Sequence, residues 1–517
     1  MEILNLVFRK LSGNIVNRKI LFAVSAGWLS KGIGIVVNLI QIPLIYKYLD
    51  KEIIGAWFLM IGAQMFTGIF DFGFGKTVER RLAFSKGDCG SNPDITLTEK
   101  AKQRIADLLF ITRIYYRCIS MLLFFVLVIM GLFYFGNLKS YTIPINQIYL
   151  AWIIMSLGYA ANMWGWFIES TLNGLGDIGW SSAINSILWV AVLVSTWVSL
   201  AAGGGLIALA VIWAIRGVLL RTIGWLTIKR LHPWIGIFQG KWIKEEFISM
   251  IDPAIKWWLA ILGYFFVNGI SRYFIGSYLG LAAVPDYIAT FTALSVVSIG
   301  ITSIVEVTAP LQAQMWRSGD IARMRKYVFT LTRLGLILLT AVFTFVAFNG
   351  KGMFELWLGE GHFIGYEVLL LLIIMMFLEA HHSMLNIPCI AAEKLQFYKY
   401  SLLAGVLNLV LIPFLICRWG LLGVSLSILL AQLLTNNWVI PRVALRLLNR
   451  PFAQYLKDVI LPVFFAALSL IAVMFLLNKI SSNFIVVGVM YLFIIIGASF
   501  VFRKRIIHNF VTMKLTN

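Results

Sequence analysis

The sequence predicts an all-α polytopic membrane protein of about fourteen transmembrane helices, arranged as two pseudo-symmetric six-helix lobes plus two C-terminal helices. Three observations carry this. First, 60% of the 517 residues are hydrophobic and only 13% are charged, with a mean hydropathy of +0.88, a composition that a water-soluble globule of this length does not have. Second, long apolar stretches recur along the whole chain. Third, the cations between them fall almost entirely on alternate loops.

The predicted spans are 20–44, 53–75, 107–136, 147–171, 179–200, 204–228, 247–276, 283–309, 328–349, 364–390, 396–417, 420–441, 459–478 and 483–502. Each is long enough to cross roughly 30 Å of hydrocarbon as a helix, in which every backbone group is bonded internally. With the N-terminus inside, the inner segments hold Arg9, Lys10, Arg18 and Lys19, seven cations in 76–104, four in 229–244, four in 310–326, two in 391–399, four in 442–457 and four after 502. The outer loops hold only Lys47, Lys51, Lys139, Lys351, Arg418 and Lys479. Cytoplasmic loops retain Lys and Arg, so both ends are expected in the cytoplasm.

The net charge of +20 therefore reads as basic loops facing an anionic leaflet, not as a nucleic-acid surface. Residues 1–19 mix apolar and basic positions as a cytoplasmic interfacial segment does, with no small-residue cleavage site after a short apolar core. The lobes are expected at 20–230 and 245–447, the C-terminal helices within 458–502, and a cytoplasmic tail at 503–517. The cysteines Cys89, Cys118, Cys389 and Cys417 form no disulfide pattern, and no CxxC or HExxH occurs, so no metal or cofactor is expected.

The chain echoes itself. Tyr48-Leu49-Asp50 with Gly55-Ala56-Trp57 returns as Tyr278-Leu279-Gly280 with Pro285-Asp286-Tyr287; Ser85-Lys86-Gly87-Asp88 returns as Arg317-Ser318-Gly319-Asp320; Thr112-Arg113 returns as Thr332-Arg333. Gly203 with Ala208-Leu209-Ala210 returns as Gly420 with Ser425-Leu426-Ser427. Matches in this order indicate two lobes of six helices. Six is even, so both enter the membrane in the same sense and form a parallel repeat around a cavity.

Ionisable residues within spans are costly, about 2.5–3.5 kcal/mol at mid-helix, and are expected to face a cavity or a partner. Lys31 lies mid-span, with Asn38 and Gln41 near the same face; its alternative reading is a Lys that snorkels or pairs with a carboxylate. Arg216 lies mid-span with Arg221 beyond it. Asp252 and Lys256 are four apart and can neutralise one another; Asn268 and Arg272 are also four apart. Lys31, Asn38, Arg216, Lys256, Asn268 and Arg272 form a candidate cationic and polar binding set suited to phosphate. Asp71, Glu169, Glu306 and Glu379 are the candidate ion-coupling carboxylates, each with the alternative of a simple ion-pair partner.

Two motifs are set aside. Gly73-Phe74-Gly75-Lys76-Thr77 lacks the first Gly of a phosphate loop, since Phe70 stands there, and ends a membrane helix. The adjacent His381 and His382 face different sides of a helix and have no third ligand, which favours packing or pH sensing over metal.

The Lys31–Asn38–Pro43 first span, the Tyr48…Gly55-Ala56-Trp57 entry to the second, Asp71-Phe72-Gly73-Phe74-Gly75, the two Gly-Asp loops and Asn173-Gly174-Leu175-Gly176-Asp177 resemble the polysaccharide flippases of the multidrug/oligosaccharidyl-lipid/polysaccharide (MOP) exporter superfamily, in particular the O-antigen (Wzx-type) translocases. That resemblance implies a non-enzymatic flippase in the bacterial cytoplasmic membrane. It would move an undecaprenyl-diphosphate-linked oligosaccharide between leaflets by alternating access, with transported H⁺ or Na⁺ and, as partners, membrane lipids and a polysaccharide polymerase or chain-length regulator. Lys31 and the span-7 cations would contact diphosphate or acidic sugars. The chain departs from the pattern at Asp177, where a basic residue is usual and Lys394 stands at the comparable second-lobe position, and in its long 76–104 loop. The alternatives are a lipid II flippase, a drug or cation antiporter of the same superfamily, or a membrane-embedded polymerase or glycosyltransferase. The last is disfavoured by outer loops too short for a catalytic domain.

Overall fold

In the computed structural model, residues 15–89, 96–138, 141–392 and 398–511 are described. The N-terminal segment 1–14, the tail beyond 511 and Lys394 lie outside them. Within the described residues the chain is helical throughout: α1 Ile15–Tyr48, α2 Lys51–Gly62, α3 Gln64–Phe70, α4 Phe74–Gly87, α5 Glu99–Gly136, α6 Ile145–Trp164, α7 Trp166–Gly174, α8 Ile178–Ala201, α9 Leu206–Leu231, α10 Lys244–Tyr264, α11 Ser271–Leu279, α12 Val284–Glu306, α13 Ala309–Arg317, α14 Ile321–Leu358, α15 Tyr366–Ala391, α16 Tyr398–Leu433, α17 Asn436–Leu447, α18 Phe452–Tyr455, α19 Leu461–Ile480 and α20 Phe484–Val511.

Eleven helical stretches among the described residues are long and apolar enough to cross a membrane. One of them, Tyr398–Leu447, runs 50 residues and is two spans joined at Gly420, whose φ of 55° and ψ of −131° interrupt the helix. The α6–α7 pair and the shorter apolar helix Phe484–Gly497 lie where the remaining two of the fourteen predicted spans fall, but are less apolar or shorter than the eleven. The protein is thus a multi-pass membrane protein.

The ends of several spans differ from the sequence reading, each for a local reason. Span 4 is broken at Gly165 into α6 and α7. Span 2 stops at Phe70, because Phe72 (φ 48°) and Gly73 (φ 75°) turn the chain through left-handed backbone before α4. Span 3 is the C-terminal part and span 9 the middle of a longer helix: α5 and α14 are each 38 residues. Their polar first turns extend beyond the apolar run, and each is capped by the residue before it. Thr98 Oγ1 accepts from the Ala101 N–H, and Asp320 Oδ1 accepts from the Arg323 N–H.

The repeat has a structural counterpart in part. The Gly-Asp echo is not matched in geometry: Gly319 (φ 77°) turns the chain and Asp320 caps α14, while Gly87 ends α4 in helical backbone and Asp88 pairs with Arg104. The echoed Gly203 (φ 84°) and Gly420 (φ 55°), by contrast, both stand at positive φ between consecutive spans. A side chain there would strain the backbone by about 1–2 kcal/mol, which is why glycine occupies both turns.

Chain contacts divide the molecule into two compact units: residues up to Leu262 with Gly280–Val284, and Gly263–Leu279 with the chain from Pro285 onward. The boundary falls inside the seventh span, so Lys256 belongs to the first unit and Asn268 and Arg272 to the second. In the first unit α1 packs on α8, and α6 packs between α5 and α9. Close approach of α6 and α9 depends on Gly158: a Cβ there would lie 2.6 Å from Ala214 Cα. In the second unit Met324, Val328 and Leu336 of α14 form a core with Leu385 of α15, Ala444 of α17 and Tyr455 of α18.

Candidate functional site

The first unit encloses a polar cavity of about 360 Å³. Its wall draws on five spans: Ser30 from α1, Gln64 from α3, Asn162, Trp166 and Glu169 from the broken α6–α7 span, Asn185 and Trp189 from α8, and Arg216 and Arg221 from α9.

Arg221 is held on three sides. Its Nε donates to both the carbonyl oxygen (2.9 Å) and Oδ1 (2.7 Å) of Asn162, and its Nη1 donates to Glu169 Oε2 at 3.1 Å. The break at Gly165 makes this possible. The helix ends there, which leaves carbonyls without helical partners, and the Arg221 stem passes so close that a Cβ on Gly165 would lie 2.7 Å from its Cβ and Cγ. The guanidinium also lies over the Trp166 ring, 5.1 Å from its centroid.

Arg216, five residues earlier on α9, is held by rings. Its Nη2 donates to Asn185 Oδ1 at 2.8 Å, and its guanidinium stands 4.3 Å from the Trp189 centroid and 5.5 Å from that of Trp213. Such cation–π contacts contribute about 0.5–2 kcal/mol each. It is 8% exposed, its Nε is buried without a hydrogen-bond partner, and among the described residues no carboxylate forms an ion pair with it. Asn185 Nδ2 in turn reaches Ser30 Oγ at 3.5 Å. With two arginines and one glutamate the lining carries an excess positive charge, and Glu169, whose side chain is 44% exposed, is its accessible carboxylate.

Of the ten residues singled out from sequence, this cavity brings together two, Arg216 and Glu169. Lys31 is exposed, and its neighbour Ser30 is the residue of that turn which lines the cavity. Asn38 Nδ2 donates to the Gly34 carbonyl of its own helix at 2.8 Å, while Gln41 reaches Thr196 of α8. Asp71 is buried at the start of α4. Both its oxygens accept from the Gly75 N–H, at 3.0 and 3.1 Å, and Oδ1 accepts from the Tyr116 hydroxyl at 2.6 Å. It therefore fixes the turn that ends span 2.

Asp252 and Lys256 form the expected pair at 2.8 Å, both exposed. In the second unit, Asn268 lies in the π-helical turn Phe265–Gly269, whose Phe266 carbonyl accepts from Asn408 Nδ2 at 2.8 Å; Arg272 is half-buried in α11. Glu306 is exposed at the end of α12. Glu379 lies 3.6 Å from His382 Nε2, whose Nδ1 is 2.8 Å from Asn437 Oδ1, while His381 points to the Tyr455 hydroxyl at 2.7 Å. The two adjacent histidines do face different elements.

Asn162, Asn185, Ser30, Trp166, Trp189 and Asn408 were not singled out from sequence. Of these only Trp166 carried a signal, in Trp164-Gly165-Trp166 inside an otherwise regular apolar span.

No protein-family model matches the sequence, and no curated protein matches it either. Solved structures do. A lipid II flippase MurJ in an inward closed conformation superposes with a TM-score of 0.67 at 14% identity, covering 94% of this chain and 100% of that one. The fold is that of the MOP-superfamily transporters. An inward-facing multidrug resistance MATE family transporter gives a TM-score of 0.65 at 13% identity over 82% of this chain and 96% of its own. A MOP superfamily transporter from Pyrococcus furiosus, described as having a reversed binding-pocket polarity, gives 0.57 at 11% identity over 85% and 98%.

Proposed function

We propose that this protein is a flippase for a polyprenyl-diphosphate-linked saccharide, of the O-antigen or related polysaccharide type, in the bacterial cytoplasmic membrane with both termini in the cytoplasm. The observation that carries the reading is the likeness to a lipid II flippase over all of that chain and 94% of this one. The sequence features shared with Wzx-type translocases favour an oligosaccharide unit over lipid II itself. The matched solved structures are transporters and a flippase, which supports a non-enzymatic role.

Alternating access of two parallel-repeat lobes supplies the mechanism. The diphosphate needs cations out of bulk water, where a guanidinium or ammonium binds phosphate with charge-assisted hydrogen bonds. Lys31, Asn38, Arg216, Lys256, Asn268 and Arg272 are the proposed contacts. The excess positive charge around Arg216 also disfavours the second reading, a drug or cation antiporter, since a cationic cargo would meet like charge. A polymerase or chain-length regulator would act on the translocated unit.

Lys31 gives the direct test. In membrane vesicles, Lys31→Ala at normal abundance is expected to abolish translocation of the lipid-linked saccharide, and Lys31→Arg to retain part of it. Translocation by the Ala variant at the normal rate would remove a charge role from this position.

Asp71, Glu169, Glu306 and Glu379 are the proposed groups for coupling to H⁺ or Na⁺, with Glu379 the best placed because it lies within a span and 3.6 Å from His382 Nε2. Collapsing both gradients in sealed vesicles is expected to stop net translocation, and Glu379→Gln to blunt that response. Transport indifferent to both gradients would exclude coupling.

A further inference from the structure

The second unit carries a basic and apolar groove that the flippase reading does not use. A cavity of about 830 Å³ lies between α15, α17 and the start of the C-terminal pair. Arg442, Arg446 and Arg450 line one end of it, spaced four residues apart from the last turns of α17 into the turn that follows. Arg450 Nη1 donates to Gln454 Oε1 at 2.7 Å, and a fourth guanidinium, Arg325, donates to the neighbouring Leu448 carbonyl at 3.3 Å. No Asp or Glu lines the groove, and among the described residues none forms an ion pair with these four arginines. Trp438, on the same helix, is largely exposed at the groove.

Away from the arginines the lining turns apolar, through Leu433, Phe452 and Leu456. At Leu378 and Ile460 it meets a second cavity of about 490 Å³ between α14, α15 and α19, whose wall contains no charged residue. The two cavities share those residues, so they form one groove with a cationic end and an apolar end. Its polarity matches an amphiphile whose head is anionic.

We infer that this groove is a binding site for an anionic diacyl glycerophospholipid, with its phosphate on Arg442, Arg446 and Arg450 and its acyl chains running past Leu378 and Ile460. Guanidinium forks bind phosphate oxygens in pairs, and basic pockets between membrane helices on the cytoplasmic side select anionic heads. The alternating loop charge places residues 442–457 on that side. The site does not depend on what the protein transports.

Native mass spectrometry of the delipidated full-length protein in detergent tests this, with phosphatidylglycerol and phosphatidylcholine of identical acyl chains as probes. The wild-type protein is expected to take up phosphatidylglycerol at least about tenfold more tightly. The triple variant R442Q/R446Q/R450Q is expected to lose the preference, R442K/R446K/R450K to keep most of it, and K351Q/R418Q/K479Q to leave it unchanged. Filling the joint with Ile460→Trp is expected to weaken uptake of both lipids. Equal uptake of the two lipids by the wild type overturns the proposal, whatever the variants do. So does a triple Gln variant of unchanged preference, displacement of phosphatidylglycerol by an equimolar polyprenyl phosphate, which would assign the groove to a carrier tail, or a lipid-free dimer mass, which would assign it to a second copy.

Discussion

Arg221→Ala is expected to lower the protein's stability by about 2 kcal/mol, read as a fall of several degrees in the thermal unfolding midpoint in detergent. Removing one member of a buried ion pair commonly costs about 3–5 kcal/mol, because the partner charge is left in low dielectric. Here the partner Glu169 is 44% exposed and can rehydrate, so the smaller figure applies. What remains is the loss of the donors to Asn162 O and Oδ1 at the end of α6, together with the contact to Trp166. Arg221→Lys is expected to recover little, since one ammonium cannot reproduce the planar fork that serves Asn162 and Glu169 at once. Adding Glu169→Gln to Arg221→Ala is expected to restore part of the loss. An additive double variant would show that the two side chains do not interact.

Gly158→Val is expected to cost about 2–3 kcal/mol and to abolish transport together with stability. The added Cβ would lie 2.6 Å from Ala214 Cα and 2.7 Å from Ala214 Cβ, so the clash is with backbone and cannot be relieved by a rotamer change. The helices α6 and α9 must separate, and these helices carry Asn162 on one side and Arg216 and Arg221 on the other. Gly158→Ala tests the same point with the smallest possible side chain, and its unfolding midpoint is expected to fall between those of Gly158→Val and the wild type. A wild-type midpoint for Gly158→Val would mean that α6 and α9 do not need this close approach.

The extent to which the sequence revealed this protein follows from the range of each physical signal. Hydropathy acts on whole segments, so the all-helical membrane fold and the succession of long apolar helices were legible, with eleven spanning stretches among the described residues against fourteen predicted spans. The Gly203 and Gly420 match, weak as letters, marks two positive-φ turns at corresponding places. Signals within a span were shorter in reach. Counting along span 6 places Arg216 near mid-membrane, but nothing in α9 itself specifies Asn185 and Trp189 of α8 as the groups that hold it, because those contacts come from helix packing.

A single residue of register decides as much. Ser30 lines the cavity and Lys31, its neighbour, is exposed, since successive residues of a helix point about 100° apart. Asp71 was legible as a costly intramembrane carboxylate but not as the anchor of a turn, because its donors come from the Gly75 backbone and from Tyr116 of α5. Asp252 and Lys256 were the opposite case. Their spacing alone predicts the ion pair that forms.

The sidedness of undecaprenyl-linked sugars in cells lacking this protein tests the central claim most directly. Spheroplasts and inverted vesicles from those cells would be probed with an impermeant sugar-cleaving or lectin reagent. A flippase of the proposed kind predicts that a complete lipid-linked saccharide unit accumulates on the cytoplasmic face, and that supplying the protein moves it to the outer face. Normal sidedness, with unpolymerised units already outside, would contradict the proposal and place the protein after translocation.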